Sequence, residues 1–263
     1  MPDTRQPAKP AAGRSTAERP AATHASSGQT GRAAPQVGAQ QPSRPTPHQK
    51  ARRDRGEETR EQLIMAGLEV FGRVGFEGAS TREIARAAGV NLAAIVYHFG
   101  GKEQLYLAIA EYIAGCILER IAPVAMGGPA PTDPAAARTR LFALIHTFVD
   151  IILGEDEAEQ WARFILREQL QPTSAFDLIY GFMGNMIDVV TALLATATSR
   201  PEDDETIRLR VITVVGQVLV FRMANALVLR RMAWNGIGES ERGKIKRVVV
   251  ENLTRILDSE AEG

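Results

Sequence analysis

A chain of 263 residues with 44% apolar and 24% charged side chains has the balance of a globular protein of one or two domains, with ample material for a buried core. Its single cysteine, Cys116, excludes an internal disulfide framework and a thiolate metal cage, and points to a reducing, cytoplasmic setting. The formal net charge of zero is segregated: residues 1–53 hold nine Lys or Arg against Asp3 and Glu18, or +7, which leaves 22 basic and 29 acidic residues, or −7, on residues 54–263.

The first 53 residues contain eight of the fourteen prolines, and Met1 and Val37 are their only sizeable apolar side chains. Such a segment cannot bury enough apolar surface to offset its ordering entropy, so a disordered basic tail is expected. It serves either as an arm that raises non-specific affinity for a polyanion or as a passive leader. The N-terminus lacks the apolar stretch of a secretory signal. The best bilayer-spanning candidate, VITVVGQVLVF at 211–221, is bounded by Arg210 and Arg222 and falls short of the roughly 18 residues required. A soluble protein that is not exported is expected.

From Glu57 the pattern becomes helical. Leu63, Gly67, Val70, Phe71 and Val74 form one stripe, and Gly75 ends that helix. Ser80-Thr81-Arg82-Glu83 reads as a capping box, in which the Ser80 hydroxyl accepts from the Glu83 amide and the Glu83 side chain reaches back. The short helix it opens runs through Ala88 and closes at Gly89, a residue able to take the left-handed conformation of a helix end. Asn91 caps a third helix that ends near Gly100-Gly101. Two short helices joined by a turn of about three or four residues containing Gly form a helix-turn-helix, with Leu92 to Phe99 in the recognition position.

After Lys102 the chain reads as long helices with short breaks: Lys102 to about Ala122, then 135–153, 157–170, 175–198, 204–234 and 240–258. A Pro/Gly loop, PVAMGGPAPTDP, occupies 123–134, and Gly154, Pro172, Pro201 and Gly236 to Gly238 mark further boundaries. No strand pattern and no internal repeat is evident. The expected fold is all-α: a helix-turn-helix domain over 54–101 and a helical domain over 102–263.

A recognition helix in the major groove reads base edges with its exposed face. In LAAIVYHF, the small residues after Leu92 allow close approach, Ile95 and Phe99 face the core, and Val96 can touch a thymine methyl. Tyr97 and His98 can donate to phosphate oxygens, and Lys102 adds charge at the next helix start. The alternative is that Tyr97 and His98 are ordinary surface or half-buried residues. Residues 54–105 hold six basic and eight acidic side chains, which argues against DNA unless the positive charge is gathered on one face.

The stretch EQLIMAGLEVFGRVGFEGASTREIARAAGVNLAAIVYHFGGKEQLYLAI resembles the N-terminal domain of the TetR family of bacterial transcriptional regulators. The resemblance runs through Leu63-Ile64, Ala66, Phe71, Gly75-Phe76, Ser80, Ile84-Ala85, Ala88-Gly89-Val90, Tyr97-His98-Phe99, Lys102-Glu103 and Leu105. It implies DNA contacts from Thr81, Arg82, Asn91, Leu92, Ala93, Ala94, Val96, Tyr97, His98 and Lys102. Val96 stands where many members carry an aromatic residue, and Ala93 and Ala94 where they carry a polar residue or glycine. With few hydrogen-bonding groups for base edges, part of the specificity falls to apolar contacts or DNA shape. REQLQPTSAFDLIYGFM at 167–183 is similar to the CecR subgroup, also called YbiH, which implies a repressor of export or drug-susceptibility genes.

The resemblance also implies a homodimer built from the last two helices and released from a palindromic double-stranded DNA operator by a small-molecule effector. Val211, Val214, Val215, Val218 and Phe221 form one candidate interface stripe; Ile245, Val248, Val249, Leu253, Ile256 and Leu257 form the other. Each stripe could instead cover the chain's own core. Phe142, His146, Phe164, Met183, Met186, Gln217 and Asn225 mix apolar walls with a few polar groups, as small-molecule sites do, and suggest an apolar, uncharged or aromatic effector. Gln217 and Asn225 could equally bond across a dimer seam. Among competing classes, an enzyme on a helical scaffold lacks support: the four histidines are scattered, no HExxH or phosphate-cradling loop occurs, and no cofactor or metal is implied. A helix-turn-helix used for protein assembly would differ in lacking salt-dependent DNA binding.

Overall fold

The computed structural model describes residues 47–154 and 156–261. These residues form α-helices α1 (Pro47–Gly78), α2 (Thr81–Ala87), α3 (Ala93–Phe99), α4 (Lys102–Ala125) and α5 (Pro134–Ile152). They continue with α6 (Asp156–Leu170), α7 (Phe176–Thr198), α8 (Glu205–Met223), α9 (Asn225–Met232) and α10 (Glu239–Ala261). No strand occurs among the described residues, in agreement with the all-α expectation.

The basic tail expected over residues 1–53 lies outside the described residues as far as 46. α1 begins at Pro47, ten residues before Glu57. Proline at a helix start is the reason in the sequence: its fixed φ suits the first helical position and its missing N–H is not needed there. At the other end α1 breaks at Gly75, whose φ of 78° and ψ of 176° no helical residue adopts, and the chain resumes one further turn to Gly78. The expected end at Gly75 is therefore the true end of the straight segment.

Two further boundaries differ. α4 continues through Pro123 to Ala125, so the Pro/Gly loop starts after it. The stretch expected as one helix over 204–234 is two, α8 and α9, bent by 78° at Ala224.

The core is continuous from Leu63 and Phe71 of α1, through Ile84, Ile95 and Leu105 of the helix-turn-helix region, to Leu141, Val211 and Leu253 of the later helices. α7 is the helix that length and composition alone would allow across a membrane, with a mean hydropathy of 1.6 in its most apolar window. The candidate at 211–221 was thus not the most apolar segment; in α7 the run is interrupted by isolated polar residues such as Asn185 and Asp188, which hide it from an inspection of uninterrupted stretches. α7 packs against α4, α5, α8 and α10, and 28% of its most apolar window is buried.

Candidate DNA-reading surface and effector cavity

Local chemistry sets the helix-turn-helix. The Ser80 hydroxyl accepts from the Glu83 amide at 3.1 Å, the forward half of the expected capping box. The reverse half is not made: the Glu83 carboxylate instead takes a hydrogen bond from Arg73 of α1 at 2.6 Å, because a guanidinium one helix away is a stronger partner than a single amide. Glu83 thereby links α2 to α1.

After Ala88 the chain turns at Gly89, with φ of 67°, while the Val90 amide donates to the Ala85 carbonyl at 3.0 Å. A methyl group at Gly89 would meet nothing within 4 Å, so the glycine is there for its backbone angle and not for space. The Asn91 side-chain oxygen accepts from the Ala93 amide at 2.9 Å, and Leu92 already has helical angles, so Asn91 caps α3 as expected. Gly100, at φ 86°, closes it.

This turn-by-turn construction puts Ile95 fully inside and turns the opposite face out. Tyr97 is 78% exposed and Val96 64%, and Asn91, Leu92, Ala93 and Arg82 are exposed as well. The remaining residues of the expected set are half-buried. Thr81 lies in the first turn of α2, Ala94 packs on the core, and the His98 ring rests near Gly56 of α1 and edge-on to Tyr97 at 5.0 Å. The Lys102 ammonium sits 4.5 Å over the Phe76 ring. Arg86, exposed on α2 beside Arg82, belongs to the same surface and was missed, although its spacing of four from Arg82 puts both on one helix face. The neutral average over this region thus gives way to a surface carrying Arg82 and Arg86, with Glu83 held by Arg73.

The later helices enclose a cavity of about 230 Å³. Its walls come from α4 (Ile113, Ile117), α5 (Leu144, Phe148), α6 (Trp161, Ile165), α7 (Met183, Met186) and α8 (Val214, Val215). Of the seven residues expected to bind an effector, Met183 and Met186 line it. Phe164 is buried instead against Tyr106, with ring centroids 4.5 Å apart. His146 is exposed on the outside of α5, and Phe142 lies under the Arg138 guanidinium. Gln217 accepts a hydrogen bond from Asn252 at 2.8 Å within the chain, and Asn225 opens α9, away from the walls. The physical reason is helix phase: these side chains share the chemistry of a small-molecule wall but point outward or to a neighbouring helix.

α6 faces two ways. Ala158, Trp161, Ala162, Ile165 and Leu166 line the cavity, while Phe164, Arg167 and Glu168 face α1 and α4. Arg167 donates through Nε to the Gly72 carbonyl at 2.8 Å and through Nη2 to the Arg73 carbonyl, gripping the last straight turn of α1 just before the Gly75 break. Glu168 is buried and accepts from the Tyr106 hydroxyl at 2.6 Å, from the Thr173 amide at 3.1 Å and from the Thr173 hydroxyl at 3.0 Å. Burial, then the hydrogen bond to Glu168, pushes the Tyr106 phenol far above its ordinary range, so it stays a donor.

The expected dimer stripes are also out of phase. Val211, Val214, Val218, Ile245, Val249, Leu253 and Leu257 are buried within the single chain, and Val215, Phe221 and Ile256 are half-buried. Of the expected set only Val248 is exposed, at 51%. The exposed large apolar side chains of α8 are Leu209, Ile212, Val220 and Met223, and those of α9 are Leu227 and Met232. Those on α8, with Gly216, repeat at three, four, four and three residues, the spacing of a helix seam, and α9 turns away from that face by 78°.

Residues 63–109 match the profile of bacterial regulatory proteins of the tetR family, and residues 137–259 that of the C-terminal domain of the HTH-type transcriptional dual regulator CecR. The chain is 35% identical over 210 residues to the HTH-type transcriptional dual regulator CecR of Shigella flexneri, covering 77% of this chain and 93% of that one. It is 24% identical over 163 residues to the HTH-type transcriptional repressor AcnR of Corynebacterium glutamicum, covering 56% and 87%. Among solved structures, a TetR-family transcriptional regulator from Bordetella parapertussis superposes with a TM-score of 0.56 at 16% identity, over 73% of this chain and 92% of that one. The chain belongs to the TetR family of DNA-binding transcriptional regulators, with a C-terminal domain of the CecR type.

Proposed function

We propose that this regulator is a ligand-responsive, dimeric repressor acting in the cytoplasm. Residues 54–101 bind a palindromic operator, α3 lies in the major groove, and residues 102–263 hold the effector and the dimer seam. Tyr97 and Asn91 donate to phosphate oxygens, Arg82 and Arg86 supply charge, and Leu92, Ala93 and Val96 touch bases by apolar contact. The resemblance to CecR favours a target among export or drug-susceptibility genes. The seam is formed by the outer face of α8, Leu209 to Met223, with Val248, in place of the buried stripes.

The observation that carries the regulatory part is the two-faced α6. A molecule filling the cavity pushes on Trp161 and Ile165, and the same helix holds α1 through Arg167. An effector that binds better when α6 is displaced shifts the population toward a state in which the two recognition helices are wrongly spaced, and weakens operator binding by that difference in affinity.

The test is an electrophoretic shift with the DNA upstream of the protein's own gene. A retarded band that weakens as salt rises is expected, with Tyr97→Ala and Arg82→Ala each reducing affinity by about tenfold. No band, or unchanged affinity in both variants, would overturn the assignment of the surface.

A further inference from the structure

We infer that the cavity takes a compact lipophile whose single polar group is a hydrogen-bond acceptor, anchored by the indole N–H of Trp161. This rests on the effector reading of the same cavity and narrows it to a chemical class. Trp161 is 2% exposed and lines the cavity, and its buried Nε1 has no hydrogen-bond partner. Indole nitrogen is a donor only, and a buried one ordinarily has an acceptor, because leaving it without one sacrifices its hydration for nothing. A water molecule is a poor solution, since it needs two to four polar partners and the wall is apolar apart from Trp161, the exposed Gln169 and Arg222, whose guanidinium is engaged elsewhere.

The rest of the wall sharpens the class. No acidic side chain lines the cavity, so a protonated amine would find no counter-charge. Its one ionisable side chain, Arg222, donates through Nε to the Ile152 carbonyl at 2.8 Å and through Nη2 to the Gly154 carbonyl at 3.1 Å, closing the end of α5. The Arg120 guanidinium lies 4.8 Å over the Trp161 ring, which fixes the ring and draws electron density from it, strengthening the N–H as a donor. Size follows from volume: an apolar void of about 150 Å³ holds benzene, so 230 Å³ suits roughly ten non-hydrogen atoms.

Four probes of one shape separate the possibilities by calorimetry on the full chain: 4-phenylbutan-2-one, 3-methylbutylbenzene, 4-phenylbutan-2-amine and 3-phenylpropanoate. The ketone is expected to bind about tenfold more tightly than the hydrocarbon, a preference that Trp161→Phe removes, and the amine is expected not to bind. Equal binding of ketone and hydrocarbon, a preference that survives Trp161→Phe, or no binding by any probe overturns the inference. So does tightest binding by the propanoate if Arg222→Met abolishes it, since the anchor would then be the guanidinium. If Trp161→Phe fails to fold, the emission of Trp161 in the Trp234→Phe background decides: a red shift with the ketone and not with the hydrocarbon supports the anchor, and no shift overturns it. Binding of the ketone with unchanged operator affinity would remove the effector role and leave the anchor standing.

Discussion

Arg167 carries the connection between the two halves of the proposed mechanism through backbone carbonyls alone. Replacing it with Ala leaves the Gly72 and Arg73 carbonyls without this donor, and a loss of about 1–3 kcal/mol in stability is expected from denaturant unfolding. The more telling outcome is functional. Arg167→Ala should bind operator with nearly unchanged affinity while effector-dependent release is blunted, which release curves for the two proteins would reveal. Cys116 offers a second test at this scale. Burial pushes its thiol above the ordinary value, so little of the reactive thiolate forms near neutral pH. Its reaction with a disulfide reagent at pH 8 should be many-fold slower in the folded protein than in denaturant; equal rates would show that the site is open.

At the scale of single elements, the helix-turn-helix is held by a few local devices. Ser80→Ala removes the hydroxyl that accepts from the Glu83 amide and should lower stability by about 1 kcal/mol, measurable as a lower unfolding midpoint. These devices explain why this region was legible in the sequence. Ser80, Gly89, Asn91 and Gly100 each act on backbone within three or four residues, so their meaning survives without knowledge of distant contacts. The cavity is different. Its lining is drawn from α4 to α8 and α10, and Ile113, Ile117 and Ile121 repeat at the same spacing whether they face a filled core or an empty space. Helix phase was equally hidden in VITVVGQVLVF, where eight of eleven positions are apolar. Val211 and Ile212 are neighbours of similar chemistry, yet Val211 is fully buried and Ile212 is 56% exposed. Periodicity can choose a face only when polar residues mark the other one.

For the whole molecule, the exposed apolar row from Leu209 to Met223 is the surface assigned to the proposed dimer. A double substitution of Ile212→Glu and Val220→Glu puts four like charges across a two-fold seam and should give a monomer by light scattering at micromolar concentration. The same change at Val211 and Val218 should instead unfold the chain, since both are buried inside it. A palindromic operator presents two half-sites, so a folded monomer should lose far more operator affinity than any single contact residue contributes.

The grip of Arg167 on α1 has one more consequence. Peptide carbonyls occur in every protein sequence, so what the guanidinium requires of its partner is geometry: a helix that approaches closely at Gly72, where a methyl group would lie 3.7 Å from the Arg163 Cβ, and ends at Gly75, where it would lie 3.2 Å from the Arg167 guanidinium. This joint adds to the apolar packing by which α1 and α3 already meet α4, where Phe71 and Phe76 lie against Tyr106. A head with another operator preference, exchanged onto this sensor body, therefore has to keep the glycine at 75 and the side chains that meet Tyr106, which defines the residues a chimeric regulator must carry over.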